Sequence, residues 1–136
     1  MDQQANKVFR RIFARLKPPP EMNMSDWADA YRQLSQGASA EPGRWRTEKA
    51  PHQREMMNAI SDIKIKKVVV MSSAQIGKTE GPILNTIGYF MHYDPAPVLV
   101  MQPTIQMAEA FSKDRLSKML QDTPILSGLV NDRARN

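Results

Sequence analysis

The sequence predicts an α/β fold, with a parallel sheet flanked by helices and an N-terminal helical segment before it. Two short apolar runs rich in valine, at residues 68–71 and 98–101, have the character of buried strands. Each run is followed by a stretch with apolar residues at helical spacing. Strand and helix therefore alternate from residue 66 onward, an order that favours right-handed crossovers and a parallel sheet.

The composition is typical of a soluble globular protein with one modest domain. The chain has 136 residues, of which 41% are hydrophobic and 24% charged. Its net charge of +5 is compatible with a polyanionic partner such as nucleic acid but does not require one. There is no cysteine, which excludes disulfides and thiolate metal sites. No apolar run approaches the roughly 20 residues of a membrane span, so no membrane association is expected.

Residues 1–46 are predicted to form a helical and linker segment. Residues 5–16 have the pattern of a basic amphipathic helix, which the three prolines after it would end. This helix either packs its apolar stripe on the domain or serves as a docking or DNA-contacting arm. A second helix is predicted over residues 26–34 with Ser25 as its N-cap. Trp45 either anchors the loop that follows or stacks on a base.

The polar loop after the first apolar run has the composition of a phosphate-binding loop and ends in Gly-Lys-Thr. Its backbone N–H groups would point at the β-phosphate, Lys78 would reach the β- and γ-phosphates, and the Thr79 hydroxyl would hold Mg²⁺. Gly77 allows the backbone to approach the phosphate closely. Ser72 occupies a position where the standard GxxxxGK[ST] pattern has glycine, so one of its four fixed positions differs.

A partial P-loop NTPase is the fold that this loop predicts, with residues 47–136 as the first part of the ATPase domain. The ligands expected are ATP and Mg²⁺, and the alternative is an ordinary strand-turn-helix with an exposed lysine. Lys78 is the predicted catalytic residue and Thr79 the metal ligand. The predicted nucleotide-binding residues are Ser73, Ala74, Gln75, Ile76, Gly77, Lys78, Thr79 and Gln53.

Gln53 is included because its amide carries both a donor and an acceptor, as reading an adenine edge requires. It is expected at the exposed start of a helix within residues 47–60, where the alternative is a solvated side chain. His52 and His92 are expected at the surface, since no cluster has metal-ligand spacing.

Two more helices are predicted after the loop. The first carries Pro82 near its start, where a missing N–H costs least. The second is expected to run from the N-cap Thr104 to about Leu120, and residues 124–136 are expected to form a trailing segment.

Five short motifs follow one another between about residue 24 and about residue 130. They are Ser25-Asp26-Trp27-Ala28-Asp29, Glu41-Pro42-Gly43-Arg44-Trp45, Gln53-Arg54-Glu55, Ser73-Ala74-Gln75-Ile76-Gly77-Lys78-Thr79-Glu80 and Val100-Met101-Gln102-Pro103-Thr104. In this order they resemble the N-terminal part of the ATPase domain of phage terminase large subunits of the lambda GpA type. A small residue commonly replaces the first Walker A glycine in that family, as Ser72 does here. The arginine found inside the loop in many related terminases is absent, with Ala74 or Gln75 in its place.

The resemblance implies ATP hydrolysis coupled to translocation of dsDNA into the capsid. It also implies a homo-oligomeric motor that works with the small terminase subunit and the portal of the procapsid, in the cytoplasm of the bacterial host. The Gln102-Pro103-Thr104 stretch is similar to a second-strand motif of helicase-like motors.

The sequence lacks other parts that such a motor needs. No apolar run ending in Asp-Glu follows Thr104, and the acidic cluster of the family's nuclease is missing. The chain is therefore expected to be a fragment, truncated before Walker B, that binds nucleotide weakly and does not by itself hydrolyse ATP or cut DNA. Two alternatives stay open: the start of a helicase-like ATPase, and a nucleotide-independent DNA- or partner-binding module with a vestigial loop.

Overall fold

The computed structural model describes residues 21–34, 36–37 and 41–130. The basic helix predicted over residues 5–16 lies outside this part of the chain. The predicted domain boundary at residue 46 stays a prediction. The elements are α1 (Met24–Tyr31), β1 (Gln33–Leu34), β2 (Gly43–Arg44), a 3₁₀ turn (Thr47–Lys49), α2 (His52–Ser61), a π-helical segment (Thr79–Ile83) that leads into α3 (Leu84–His92), α4 (Ile105–Ala110), a second π-helical segment (Phe111–Leu116), α5 (Ser117–Asp122) and α6 (Pro124–Ser127).

The described residues form an α/β structure that is mostly helical. Its sheet has two antiparallel strands, β1 and β2, with Gln33 opposite Arg44 and Leu34 opposite Gly43. The parallel sheet predicted from the two apolar runs is not present in the described part of the chain. None of the helices there combines the length and the apolar character that crossing a bilayer requires.

Neither apolar run is paired into a sheet with another described segment. Their exposure alternates with a period of two, as in a strand: Val68 and Val70 are 36% and 38% exposed, whereas Val69 and Met71 are 77% and 99% exposed. Residues 98–101 alternate in the same way. Val68 and Val70 of the first run and all four residues of the second run border, with α3, an apolar groove of about 460 Å³. The sheet prediction is wrong here because a strand also needs a neighbouring backbone, and no described segment pairs with either run.

Helix α1 begins earlier and ends earlier than its sequence pattern predicts. Its N-cap is Asn23, whose side chain accepts a hydrogen bond from the Asp26 N–H over 3.1 Å. The predicted N-cap, Ser25, is instead buried inside the helix. The helix stops at Tyr31 because the chain then turns into β1, which pairs with β2.

The core is built around Trp27 of α1, which is fully buried against α3. Its ring lies so close to Gly88 that any Cβ there would overlap with it, so this position of α3 requires glycine. The indole Nε1 donates a hydrogen bond to His92 Nδ1 over 3.1 Å. His92 is half-buried rather than fully exposed. The other buried apolar residues are Met24, Ala28, Trp45, Met57, Leu84, Ile87, Tyr89, Met119 and Leu126.

Trp45, after the second strand, and Leu126, in α6, also belong to this core. Trp45 is buried and its Nε1 donates to Thr47 Oγ1 over 3.0 Å, which confirms the prediction that it anchors its loop. Leu126 of α6 is fully buried. The expected trailing segment is therefore wrong for residues 124–127, which form a helical turn packed on the core.

The helices after the two apolar runs begin as predicted, but each contains a π-helical segment. Pro82 lies inside the first segment, where the wider turn accommodates its missing N–H. Thr104 is confirmed as an N-cap, since its Oγ1 accepts from the Met107 N–H over 3.2 Å. The second segment, Phe111–Leu116, separates α4 from α5.

Tyr89 gives the fold a dependence on alkaline pH. Burial raises the pKa of Tyr89 to about 12, and its hydroxyl donates to the Met22 carbonyl over 2.9 Å. In the unfolded chain this phenol ionises near its ordinary pKa of about 10. The unfolded state therefore binds fewer protons between about pH 10 and 12, and the free energy of unfolding falls across that window. Denaturant titrations at several pH values should show a smaller fall for Tyr89→Phe; equal slopes would contradict this.

Candidate functional site

The loop of residues 72–78 joins the first apolar run to the π-helical segment before α3. Two of its residues have left-handed backbone conformations, Gln75 with φ 60° and Gly77 with φ 80°. Glycine adopts this conformation without a steric cost, whereas glutamine does not. A Cβ at Gly77 would also lie 2.7 Å from Gln53 Nε2. Gly77 is thus favoured by its backbone conformation, and a side chain there would also displace the Gln53 amide.

The hydrogen bonds that hold this loop are accepted by its carbonyl oxygens. Ser73 O accepts from Lys78 Nζ over 2.8 Å, and Gly77 O accepts from the Gly81 N–H over 2.8 Å. Ile76 O accepts from Gln53 Nε2, also over 2.8 Å. Within the described part of the chain, no hydrogen bond of good geometry uses the backbone N–H groups of residues 73–78. These donors therefore remain available to an anion.

Gln53 of α2 contacts the loop through its side-chain amide. It is 3% exposed, so the expectation that it lies at an exposed position is wrong. Its Nε2 is bonded to Ile76 O, whereas its Oε1 is buried without a hydrogen-bond partner. Its role in binding adenine stays a prediction, and in this conformation the side chain contacts the loop. His52, next to it, is exposed as predicted.

Gly81→Ala should weaken this support. A Cβ at position 81 would overlap with Gln53 Oε1, so the amide would have to leave its place and the bond to Ile76 O would be lost. We expect the free energy of unfolding to fall by about 1–3 kcal/mol, as is usual for overpacking. Gly128→Ala is the matched control: its φ is −76° and a Cβ there has nothing within 4 Å. Equal stability of the two variants in urea titrations would refute the supporting role of Gln53.

The predicted phosphate and metal residues lie at the end of the loop. Lys78 is half-buried, and its ammonium group bends back across the loop to Ser73 O. Thr79 is half-buried at the start of the π-helical segment, where it lines a cleft of about 460 Å³ together with Gln102 and Arg115. We call this the Thr79 cleft. The structure thus brings Lys78, Thr79 and Gln53 to one loop.

A second cleft, of about 730 Å³, also borders the loop. The loop residues Gln75 and Gly77 form one part of it, and residues 41–50 form another. Lys49 pairs with Glu41, and this bond and charge lower the pKa of Glu41. The lining also includes Arg44, Trp45, Arg46, Gln53 and Glu80. The cleft is therefore more basic than acidic, which suits an anionic ligand.

An ion cluster fixes the first turn after the loop. Glu80 Oε2 lies 2.8 Å from Nη2 of Arg32, which is only 1% exposed, and Glu80 Oε1 lies 3.6 Å from Arg115 Nη1. Burial lowers the pKa of Arg32, while the charges of Glu80 and Asp122 oppose this shift. A buried guanidinium without its carboxylate costs about 3–5 kcal/mol. Glu80 therefore ties Arg32, the residue after α1, to the start of the first π-helical segment, and Arg115 of the second segment lies near the same carboxylate.

Sequence reasoning missed this cluster. Arg32 and Glu80 are 48 positions apart, and no local pattern indicates that such residues meet. The one available signal was that Glu80 directly follows the Lys78-Thr79 pair. Within the described residues, no group of three histidine, aspartate or glutamate side chains is placed to hold a metal ion.

Comparison with known proteins gives the class to which this loop and fold belong. Residues 39–136 match the family of the phage terminase large subunit gpA, ATPase domain, so the chain belongs to this family. This confirms the resemblance that the motifs indicated. The chain is 30% identical over 132 residues to the terminase large subunit of Escherichia phage lambda, and 31% identical over 126 residues to that of Enterobacteria phage P21.

These alignments cover 95% and 93% of this chain but 20% and 19% of the two relatives. The chain therefore spans about a fifth of the length of the curated relatives it matches. No solved structure matches it significantly.

Proposed function

We propose that this chain is the ATP-binding part of a phage DNA-packaging terminase. In this proposal the loop of residues 72–79 is a P-loop that binds the phosphates of ATP. The backbone N–H groups of residues 73–78 surround the β-phosphate, and Lys78 contacts the β- and γ-phosphates. Gln53, beneath the loop, borders the nucleotide.

One observation carries the proposal: the loop uses its carbonyl groups for its own hydrogen bonds and leaves its N–H groups to a ligand. The Lys78 ammonium belongs to the same loop and is bonded to Ser73 O across it. A helix begins directly after them, and its N-terminal dipole adds to the attraction for a phosphate. The whole arrangement favours an anion, and the family of the chain favours a nucleotide.

The residues present fit Mg²⁺ that arrives with the nucleotide. Magnesium commonly keeps several waters and takes only one or two protein ligands besides substrate phosphates. The Thr79 hydroxyl supplies one such ligand. Glu80, the next residue, is engaged by Arg32 and Arg115, and Asp114 lines the Thr79 cleft. We therefore expect Mg²⁺ binding to depend on the nucleotide. When bound, this ion would neutralise phosphate charge.

The remaining parts of the proposal concern the longer protein. There the ATPase would move dsDNA into the procapsid through the portal, as a homo-oligomer with the small terminase subunit, in the cytoplasm of the bacterial host. Hydrolysis further requires a carboxylate that orients the attacking water, and we assign none within this chain. For these 136 residues the proposal is nucleotide binding, with residues 47–136 as the start of the ATPase domain.

Calorimetric titration tests this proposal. ATP with Mg²⁺ should bind at one site, and Thr79→Ala should reduce the gain in affinity that Mg²⁺ provides. Ser127→Ala is the matched control, since Ser127 is exposed in α6 and its hydroxyl donates to Pro124 O within the same turn. Should ATP fail to bind while dsDNA binds with a steep salt dependence, the chain would be a nucleotide-independent DNA-binding module instead.

A further inference from the structure

We propose that Arg115 contacts the terminal phosphate of the bound nucleotide, in the cleft that it shares with Thr79. This inference rests on the proposed ATP site and adds to it a residue from a different element. Arg115 belongs to the second π-helical segment, Phe111–Leu116, which follows the second apolar run. Among the described residues that line this cleft, the one other cation is Lys118.

The position of Arg115 supports this role. Arg115 and Thr79 line the same cleft of about 460 Å³, together with Gln102 at the end of the second apolar run. The polar lining is completed by Lys118 and Asp114, and the remaining lining residues are apolar or glycine. A phosphate whose Mg²⁺ is held by the Thr79 hydroxyl would therefore face two cations and a single carboxylate.

Arg115 is held weakly in the free chain and can change partner at low cost. Its Nη1 lies 3.6 Å from Glu80 Oε1, which is longer than a hydrogen bond, and its side chain is 47% exposed. Glu80 is already neutralised by the buried Arg32, whose contact of 2.8 Å is much closer. Glu80 therefore keeps its closer partner, Arg32, through Oε2 when Arg115 leaves.

The loop itself supplies too little positive charge for a triphosphate. Between residues 72 and 79 the only cationic side chain is Lys78, since the positions before Gly77 hold serine, alanine, glutamine and isoleucine. Charge on the terminal phosphoryl oxygens is stabilised most by cations positioned at those oxygens. The half-exposed guanidinium beside Thr79 is suited to that position because its fork can contact two phosphate oxygens at once.

Comparison of ATP and ADP affinities tests this inference. ADP lacks the terminal phosphate, so Arg115→Ala should weaken binding of ATP by about tenfold or more while changing binding of ADP less than about twofold. Arg115→Lys should restore part of the preference for ATP. Lys113→Ala is the matched control, because Lys113 is on the same segment, is 76% exposed and pairs with Glu109. It should leave both affinities unchanged.

The outcomes separate this inference from the proposed function. If the unsubstituted chain binds neither nucleotide, the proposed ATP site fails and this inference fails with it. If it binds both and Arg115→Ala leaves both affinities unchanged, only this inference is refuted. An equal loss for ATP and ADP would also refute it, because it would show that Arg115 supports the loop as a whole. A loss of dsDNA binding with unchanged ATP binding would assign Arg115 to a DNA phosphate instead.

Discussion

Lys78→Ala should weaken the binding of ATP with Mg²⁺ by about 10- to 100-fold. The ammonium group lies across the loop at 2.8 Å from Ser73 O, in the loop whose N–H groups at residues 73–78 make no hydrogen bond within the described part of the chain. In the complex it would exchange this carbonyl for phosphate oxygens, and a charge-assisted hydrogen bond of this kind contributes about 1.5–3 kcal/mol. Titration calorimetry with the unsubstituted chain and the variant measures the difference directly.

Lys64→Ala is the control for the loss of one positive charge. Lys64 is exposed and precedes the first apolar run, at the end away from the loop. This variant should bind ATP as the unsubstituted chain does. If Lys78→Ala binds ATP with unchanged affinity, or if both variants lose affinity equally, Lys78 does not contact the phosphates specifically.

Trp27→Ala should lower the free energy of unfolding by about 3–5 kcal/mol, the range for deleting a buried aromatic side chain. Trp27 is fully buried, its ring covers Gly88, and its Nε1 donates to His92. Because small domains are stable by only about 5–15 kcal/mol, this loss is large enough to leave part of the chain unfolded at 25 °C. Urea titration followed by circular dichroism gives the value.

Leu99→Ala tests whether burial causes the effect of Trp27→Ala. Leu99 is a large apolar residue that is 84% exposed, so its removal should change the stability of the chain by less than about 0.5 kcal/mol. Trp27→Phe should fall between the two, since it keeps a ring but loses the bond to His92. A similar loss for Leu99→Ala and Trp27→Ala would show that Trp27 is not at the centre of the core.

The sequence predicted the features that depend on residues close together along the chain. The Thr104 cap forms with the N–H three residues later, so its signal is local. The helix that follows the polar loop also has a local signal. Gly77 has one too, because its left-handed backbone conformation favours glycine. A buried tryptophan such as Trp45 is also expected from its size alone.

Features that depend on distant residues could not be predicted in this way. The apolar runs have the period of a strand, but pairing requires a second backbone, which no local pattern supplies. Arg32 and Glu80 are 48 positions apart and meet only because the tertiary fold brings the residue after α1 to the first turn after the loop. Gln53 looks exposed at the first turn of a helix and is buried because the loop covers it. In each case a tertiary contact determines the structure, and a single sequence does not show that contact.

Hydrogen exchange of the loop amides tests the central claim most directly. If residues 73–79 enclose a polyphosphate, ATP with Mg²⁺ should slow exchange of their N–H groups while those of the exposed residues 98–101 exchange as before. Lys78→Ala should abolish this protection. Loop amides that exchange at the same rate with and without ATP, at concentrations up to several millimolar, would contradict the phosphate-binding role of this loop.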